Sequence, residues 1–206
     1  MKQTRLIMGM PITLHIPDST NCHKIARCIF AYFSSIDRQF SPYKKTSEVS
    51  LINQGLLNED QYSPLMSEII ALSRKTHQQT QGYFDVYHQE KFDPSGIVKG
   101  FALHYACRIL DGQGITNYYL EAGGDIEVKG VNANNQKWKI GIRNPFNTQE
   151  VVKVIRLTKG GVATSGTYFR GNHIYTPHVR TIGNSISLTV IGPNSYEADR
   201  LSLIHI

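Results

Sequence analysis

The chain is poor in cysteine, has a single tryptophan, and lacks any apolar run that matters to a bilayer. Its three cysteines, Cys22, Cys28 and Cys107, are an odd number without zinc-type spacing among 206 residues. That excludes a disulfide-framed fold and a cysteine-built metal site. No stretch approaches the roughly 20 apolar residues that a spanning helix needs. The first sixteen residues start basic but have no long apolar core, cleavage site or lipid-attachment cysteine, so no signal peptide or lipobox is read there. As given, the chain is expected to be cytoplasmic, with an exported or anchored form requiring residues ahead of Met1. Walker, Rossmann and nucleophile-elbow patterns are absent, as are internal repeats. The net charge of +6 suits an anionic ligand, but no long Lys/Arg run accompanies it, so nucleic acid is not the expected partner.

What remains is a chain of ordinary globular composition, 40% hydrophobic and 18% charged, with no sharp boundary to divide it. Leu6 to Ile16 alternates around Met8-Gly9-Met10-Pro11 and reads as a first strand. Asp18 to Thr20 can cap a helix in which Ile25, Cys28, Ile29, Tyr32, Phe33 and Ile36 share a face. A polar loop with a short apolar turn follows, closed by Asn53, and Pro64 opens another amphipathic helix. The stretch Phe92 to Leu110 is a turn opening into a helix, with Ser95 as N-cap and Ile97, Phe101, Tyr105 and Ile109 on a buried face. Cys28 and Cys107, in apolar helical settings, are expected to be buried. In the second half, 118–122, 126–128, 137–142, 151–157, 161–163 and 186–191 read as strands. Helices first and strands second predict an α+β fold with a mostly antiparallel sheet.

Four corners rich in glycine or hydroxyl groups stand out: 82–85, 95–100, 123–125 and 164–166. Each offers backbone N–H groups and short side chains to a polar ligand. At 95–100 two readings stay open. Free N–H groups at a helix start, with Lys99 a turn in, suit a phosphate or pyrophosphate; equally, Gly96 and Gly100 suit tight packing in an ordinary capped helix. His173 is a candidate base or a plain surface histidine. Asp199 is a natural first-turn aspartate of a last helix, or equally a Mg²⁺ ligand.

The order of these corners resembles a known family, the ApbE-type flavin transferases (FAD:protein FMN transferases). The resemblance runs from Met8-Gly9 through Ser41-Pro-Tyr43, Ser47-Glu48, Asn53, Thr80-Gln-Gly-Tyr-Phe-Asp85, Asp93-Pro-Ser-Gly-Ile-Val-Lys-Gly100, Gly123-Gly-Asp125, Thr164-Ser-Gly166 and His173-Ile174 to Ser202. It implies a single T-fold-like domain over residues 1–206, with helices packed on a mostly antiparallel sheet. It implies an enzyme that takes FAD as substrate with Mg²⁺, cleaves the pyrophosphate, moves FMN to a Thr or Ser hydroxyl of an acceptor flavoprotein, and releases AMP. Met8, Tyr43, Tyr83, Phe84, Asp85, Ser95, Phe101 and Ile174 would line the FAD site. The Val98 carbonyl and Asp199 would hold the metal, and His173 would be the general base. An FAD pyrophosphatase and a non-catalytic FAD-binding protein are the alternatives. Three positions depart from the family pattern, one of them Thr176, which stands where an aspartate is common before the proline. Leu203 stands where a threonine metal ligand is usual, and the tail after it is unlike the family, so the C-terminal end is expected to be incomplete. His104 stands where the longer branch of the family has an aspartate.

Overall fold

A computed structural model of the chain describes residues 1–17, 21–88, 91–147, 149–166 and 187–204. Among them a six-stranded sheet has the order β1-β2-β5-β6-β9-β10, and every pairing along it is antiparallel. The strands are β1 Lys2–Ile7, β2 Met10–His15, β5 Tyr118–Ala122, β6 Asp125–Lys129, β9 Lys159–Gly166 and β10 Ser187–Gly192. Two short ribbons stand apart from it: β3 Tyr87–His88 with β4 Lys91–Phe92, and β7 Trp138–Arg143 with β8 Val151–Leu157. The helices are α1 Cys22–Phe40, α2 Glu48–Asn53, α3 Pro64–Gln79, α4 Ser95–Gly112 and α5 Ser195–Ile204. The α+β reading holds.

Side-chain alternation gives the sheet two unlike faces. Ile12, Leu14, Tyr118, Leu120 and Ala122 join the core formed with α1, α3 and α4. Ile126 and Val128 point the other way, onto Trp138 and Ile140 of the β7–β8 ribbon. The intervening residues of β6, Asp125 and Glu127, pair with Ala122 and Leu120 and therefore face the helices. Both are buried, and the functional site grows from them.

Several local expectations change. The segment around Met8-Gly9 is not one strand but the two-residue turn of the β1–β2 hairpin, with Ile7 opposite Met10. Met8 and Gly9 both take positive φ, 58° and 69°, as the tight hairpin turns matching strand twist require. Gly123-Gly124 likewise closes a hairpin between Ala122 and Asp125. The Ser47–Asn53 segment is a helix, with the Ser47 hydroxyl accepting from the Ser50 N–H. Asp18, Ser19 and Thr20 lie outside the described residues; α1 starts behind Asn21. Cys28 is exposed while Cys107 is buried, because the buried stripe of α1 runs through Ile25, Ile29, Phe33 and Ile36 and Cys28 falls about 100° from Ile29.

Candidate active site

Helix α4 sits at the centre of the site. It is buried on most of its circumference, through Ile97, Val98, Gly100, Phe101, Ala102, Leu103, Ala106, Cys107 and Leu110, because α1, α3, α5 and the sheet all pack on it. Its first helical residue is Ser95, behind Pro94. Ser95 is therefore not the N-cap. Its N–H donates to Asp93 Oδ1 at 3.0 Å, so the aspartate two residues earlier satisfies the helix start.

Gly100 explains why glycine stands one turn into this helix. Its N–H donates to Asp199 Oδ2 at 3.0 Å. A Cβ at Gly100 would lie 2.7 Å from both the Cβ and Oδ2 of Asp199. Only a glycine lets α5 bring its carboxylate against the α4 backbone, two residues from the Val98 carbonyl. Of the two readings open at this corner, tight packing is thus fulfilled, and what packs there is the Asp199 carboxylate.

Lys99 is not a free charge aimed at an anion. Its Nζ lies 2.8 Å from Asp125 Oδ2 and 3.5 Å from Asp199 Oδ1. Asp125 Oδ1 faces the Thr164 N–H at 3.4 Å. Two buried carboxylates thus share one ammonium, a negative surplus among the described residues. Burial first, and then the charge of Asp125, push the Asp199 carboxyl up to about 7, against the pull of Lys99 and the Gly100 N–H.

Helix α5 also meets the 164–166 corner and the end of α3. The Ser165 and Ser202 hydroxyls are 2.7 Å apart, and Ser202 donates to the Asp199 carbonyl at 2.7 Å. Arg200 Nη1 donates to Gln79 Oε1 at 2.6 Å, tying α5 to the end of α3 just before the 80–85 corner. At that corner the Thr80 hydroxyl accepts the Phe84 N–H, His77 Nδ1 meets the Phe84 carbonyl at 2.9 Å, and Asp85 Oδ1 accepts the Tyr87 N–H. An open cavity of about 350 Å³ lies beside Asp85, walled also by Arg74, His77, Val86 and Tyr87.

The residues expected at an FAD site are placed unevenly. Tyr43 and Tyr83 are exposed, at 93% and 53%. Asp85 and Ser95 are exposed as well, and Met8 is half-buried against the core at its hairpin turn. Phe84 is buried, and Phe101 is a core residue, stacked on Tyr105 with ring centroids 4.3 Å apart. His173 and Ile174 lie outside the described residues.

In the sequence Asp125 stands out only as the end of the Gly123-Gly124-Asp125 corner, and no motif singles out Glu127 or Ser195. Their signal was the alternation Asp-Ile-Glu-Val in a strand with an apolar face, which leaves two acids to be either solvated or buried with partners.

No cluster of three or more His, Cys, Asp or Glu side chains among the described residues is placed to hold a metal ion. A hard divalent cation does not need one. Mg²⁺ takes one or two carboxylates and completes its shell with carbonyl, water and phosphate oxygens. Asp199, held against the first turn of α4 with Asp125 nearby and more negative charge than Lys99 can balance, fits that requirement.

The antiparallel sheet with helices packed on it is a fold this chain shares with solved flavin transferases. A Vibrio cholerae structure titled Flavin Transferase ApbE aligns with a TM-score of 0.83 at 24% identity, over 99% of this chain and 85% of that one. The ApbE protein of Thermotoga maritima aligns with a TM-score of 0.81 at 21% identity, over 99% and 85%. The sequence profile of the ApbE family matches residues 8–90 and 87–205, and the chain belongs to that family. Among curated relatives, the FAD:protein FMN transferase of Salmonella typhimurium is 33% identical over 118 residues, 52% of this chain and 34% of that protein. That of Escherichia coli K12 is 28% identical over 156 residues, 66% and 44%. That of Haemophilus influenzae is 37% identical over 122 residues, 53% and 35%. The matched stretch thus spans 34–44% of the length of these relatives.

Proposed function

We propose that this chain is an FAD:protein FMN transferase acting with Mg²⁺. One observation carries the reading: three polar corners separated along the sequence, 95–100, 123–125 and 164–166, meet at α5, where Asp199 and Asp125 form a buried acidic pair beside Lys99 and Gly100 of α4. The names of the relatives support the same activity.

Asp199 and the Val98 carbonyl would hold Mg²⁺, which would supply electrostatic stabilisation of charge on the pyrophosphate oxygens. The rest falls to the chain. The exposed rings of Tyr43 and Tyr83 offer apolar faces to the flavin and adenine ends of FAD. The start of α4 offers positive potential to the diphosphate. His173, in the role the resemblance gives it, takes the proton of the acceptor Thr or Ser hydroxyl, the general-base task for which histidine is the commonest side chain. The hydroxyl oxygen attacks the phosphorus on the FMN side, the P–O bond to the bridging oxygen breaks, and AMP leaves with that oxygen.

The test is intact-mass spectrometry of an acceptor domain after incubation with the protein, FAD and Mg²⁺. The expected product is acceptor plus one FMN, with one AMP released per adduct. AMP without adduct would make the protein a hydrolase. Bound FAD with neither product would make it a binding protein.

A further inference from the structure

We propose that Glu127 is a positioning residue for the metal site, fixing where α5 sits and therefore where Asp199 points. The proposal rests on the reading of Asp199 as a cation ligand.

Glu127 is buried on β6, one strand repeat beyond Asp125. Its Oε2 accepts two hydrogen bonds from the first residue of α5: the Ser195 N–H at 2.8 Å and the Ser195 hydroxyl at 2.6 Å. Its Oε1 lies 3.3 Å from His104 Nδ1 on α4. One carboxylate thus joins the sheet, the central helix and the helix that bears Asp199. A charged acceptor at a helix N-terminus is favoured both by the hydrogen bonds and by the helix dipole. Asp199 lies four residues after Ser195, on the same side of α5.

Glu127 is not needed for α5 to be a helix. Asn194 already caps it, with its Oδ1 accepting the Glu197 N–H at 2.8 Å. What Glu127 adds is location. Across the sheet, Glu127 pairs with Gly161, where a Cβ would come within 2.1 Å of the Asn194 carbonyl carbon. The α5 start is therefore pressed against bare backbone on one side and held by Glu127 on the other. The Ser195 hydroxyl also lies 3.5 Å from the Gly100 carbonyl, close to the N–H that donates to Asp199. A loss of the Glu127 anchor removes two of the contacts that fix the start of α5, and with it the seat of Asp199 against Gly100 is no longer held.

Mn²⁺ affinity, read by electron paramagnetic resonance on the metal-free full chain, tests this without any turnover. Outer partners of metal ligands typically contribute about 10- to 100-fold in affinity. Glu127→Ala is expected to weaken Mn²⁺ binding by about tenfold, at a temperature where circular dichroism shows it folded. Glu127→Gln, which keeps an acceptor oxygen, should restore most of the affinity. The double variant Glu127→Ala/Asp199→Asn should bind no more weakly than Asp199→Asn alone, because one residue acts through the other. Wild-type affinity in folded Glu127→Ala, or losses that multiply in the double variant, would overturn the proposal. Should Glu127→Ala fail to fold, Ser195→Ala removes only the hydroxyl contact, and the same comparison with Asp199→Asn decides. Unchanged Mn²⁺ binding in Asp199→Asn is a separate result: it would remove Asp199 as a ligand and leave Glu127 nothing to position.

Discussion

The contact between Gly100 and Asp199 makes one substitution reverse its usual sign. Glycine inside a helix is worse than alanine by about 1 kcal/mol, so Gly100→Ala taken by itself should stabilise α4. Here the new methyl would stand 2.7 Å from Asp199, and relief requires α4 and α5 to separate by about 1 Å to reach ordinary contact near 3.5–4 Å. Overpacking of this kind costs about 1–3 kcal/mol. The separation also weakens the Gly100 N–H bond to a buried carboxylate, worth about 1.5–3 kcal/mol as a hydrogen bond to a charged group. Against the propensity gain, a net loss of about 2–5 kcal/mol is expected. For a chain of this size each kcal/mol moves Tm by about 2–4 °C. The internal control is Gly112→Ala in the last turn of the same helix, where a Cβ would meet nothing within 4 Å. That variant should hold or raise Tm by a few degrees at most, about 2–4 °C. Calorimetry of the two variants side by side tests the argument. A Tm for Gly100→Ala equal to or above that of the wild type would show that the helix–helix approach is not what glycine is there for.

The raised carboxyl of Asp199 sets a pH dependence. Its folded value of about 7 lies above the ordinary 3.8, so the carboxyl is neutral in both states at low pH, and the burial penalty develops as pH rises towards 7. Stability of Asp199→Asn relative to the metal-free wild type should therefore grow between about pH 4 and 7; denaturant melts that show a constant difference across that range would contradict this. Titration with an aromatic disulfide reagent should label the exposed Cys28 in the native protein and Cys107 only on unfolding, since burial pushes the Cys107 thiol well up. Rapid native labelling of Cys107 would put the packing of α4 in error. His173→Ala should abolish FMN transfer while leaving FAD affinity, measured by equilibrium dialysis, unchanged; undiminished transfer would take the base role away from His173.

Legibility in the sequence followed the range of the forces involved. Strands β5 and β8 emerge at the residues expected, because strand alternation is a local pattern and one face of each is fixed by it. Pro64 likewise opens α3 as the sequence indicates, behind Ser63, whose hydroxyl accepts the Met66 N–H. Helix α2 escaped notice because six residues carry too little periodicity, and it is held by distant partners: Glu48 accepts from the Ser63 N–H, the Ser63 hydroxyl and Gln39. Lys99 was legible as a charge but not as a partner, since nothing near it in sequence announces two carboxylates arriving from β6 and α5. Recognition of the ordered corners identified the family, yet it could not show that Gly100 is a seat for Asp199 or that Ser95 is capped from behind by Asp93.

Asp125 and Glu127 are neighbours on one face of one strand, and the contrast between them separates structure from function within the site. Both carboxylates are buried, which without partners would cost several kcal/mol each. Glu127 meets a backbone N–H, a hydroxyl and an imidazole nitrogen, enough donors to settle a charge where it lies. Asp125 meets a weak backbone contact and a lysine that it must share with Asp199. A chain selected for stability alone would gain by replacing one aspartate of such a pair with a neutral side chain of similar shape. That surplus charge is rational once a divalent cation and a diphosphate are expected to meet there. The well-satisfied acid builds the frame; the poorly satisfied pair is what the frame is built to present.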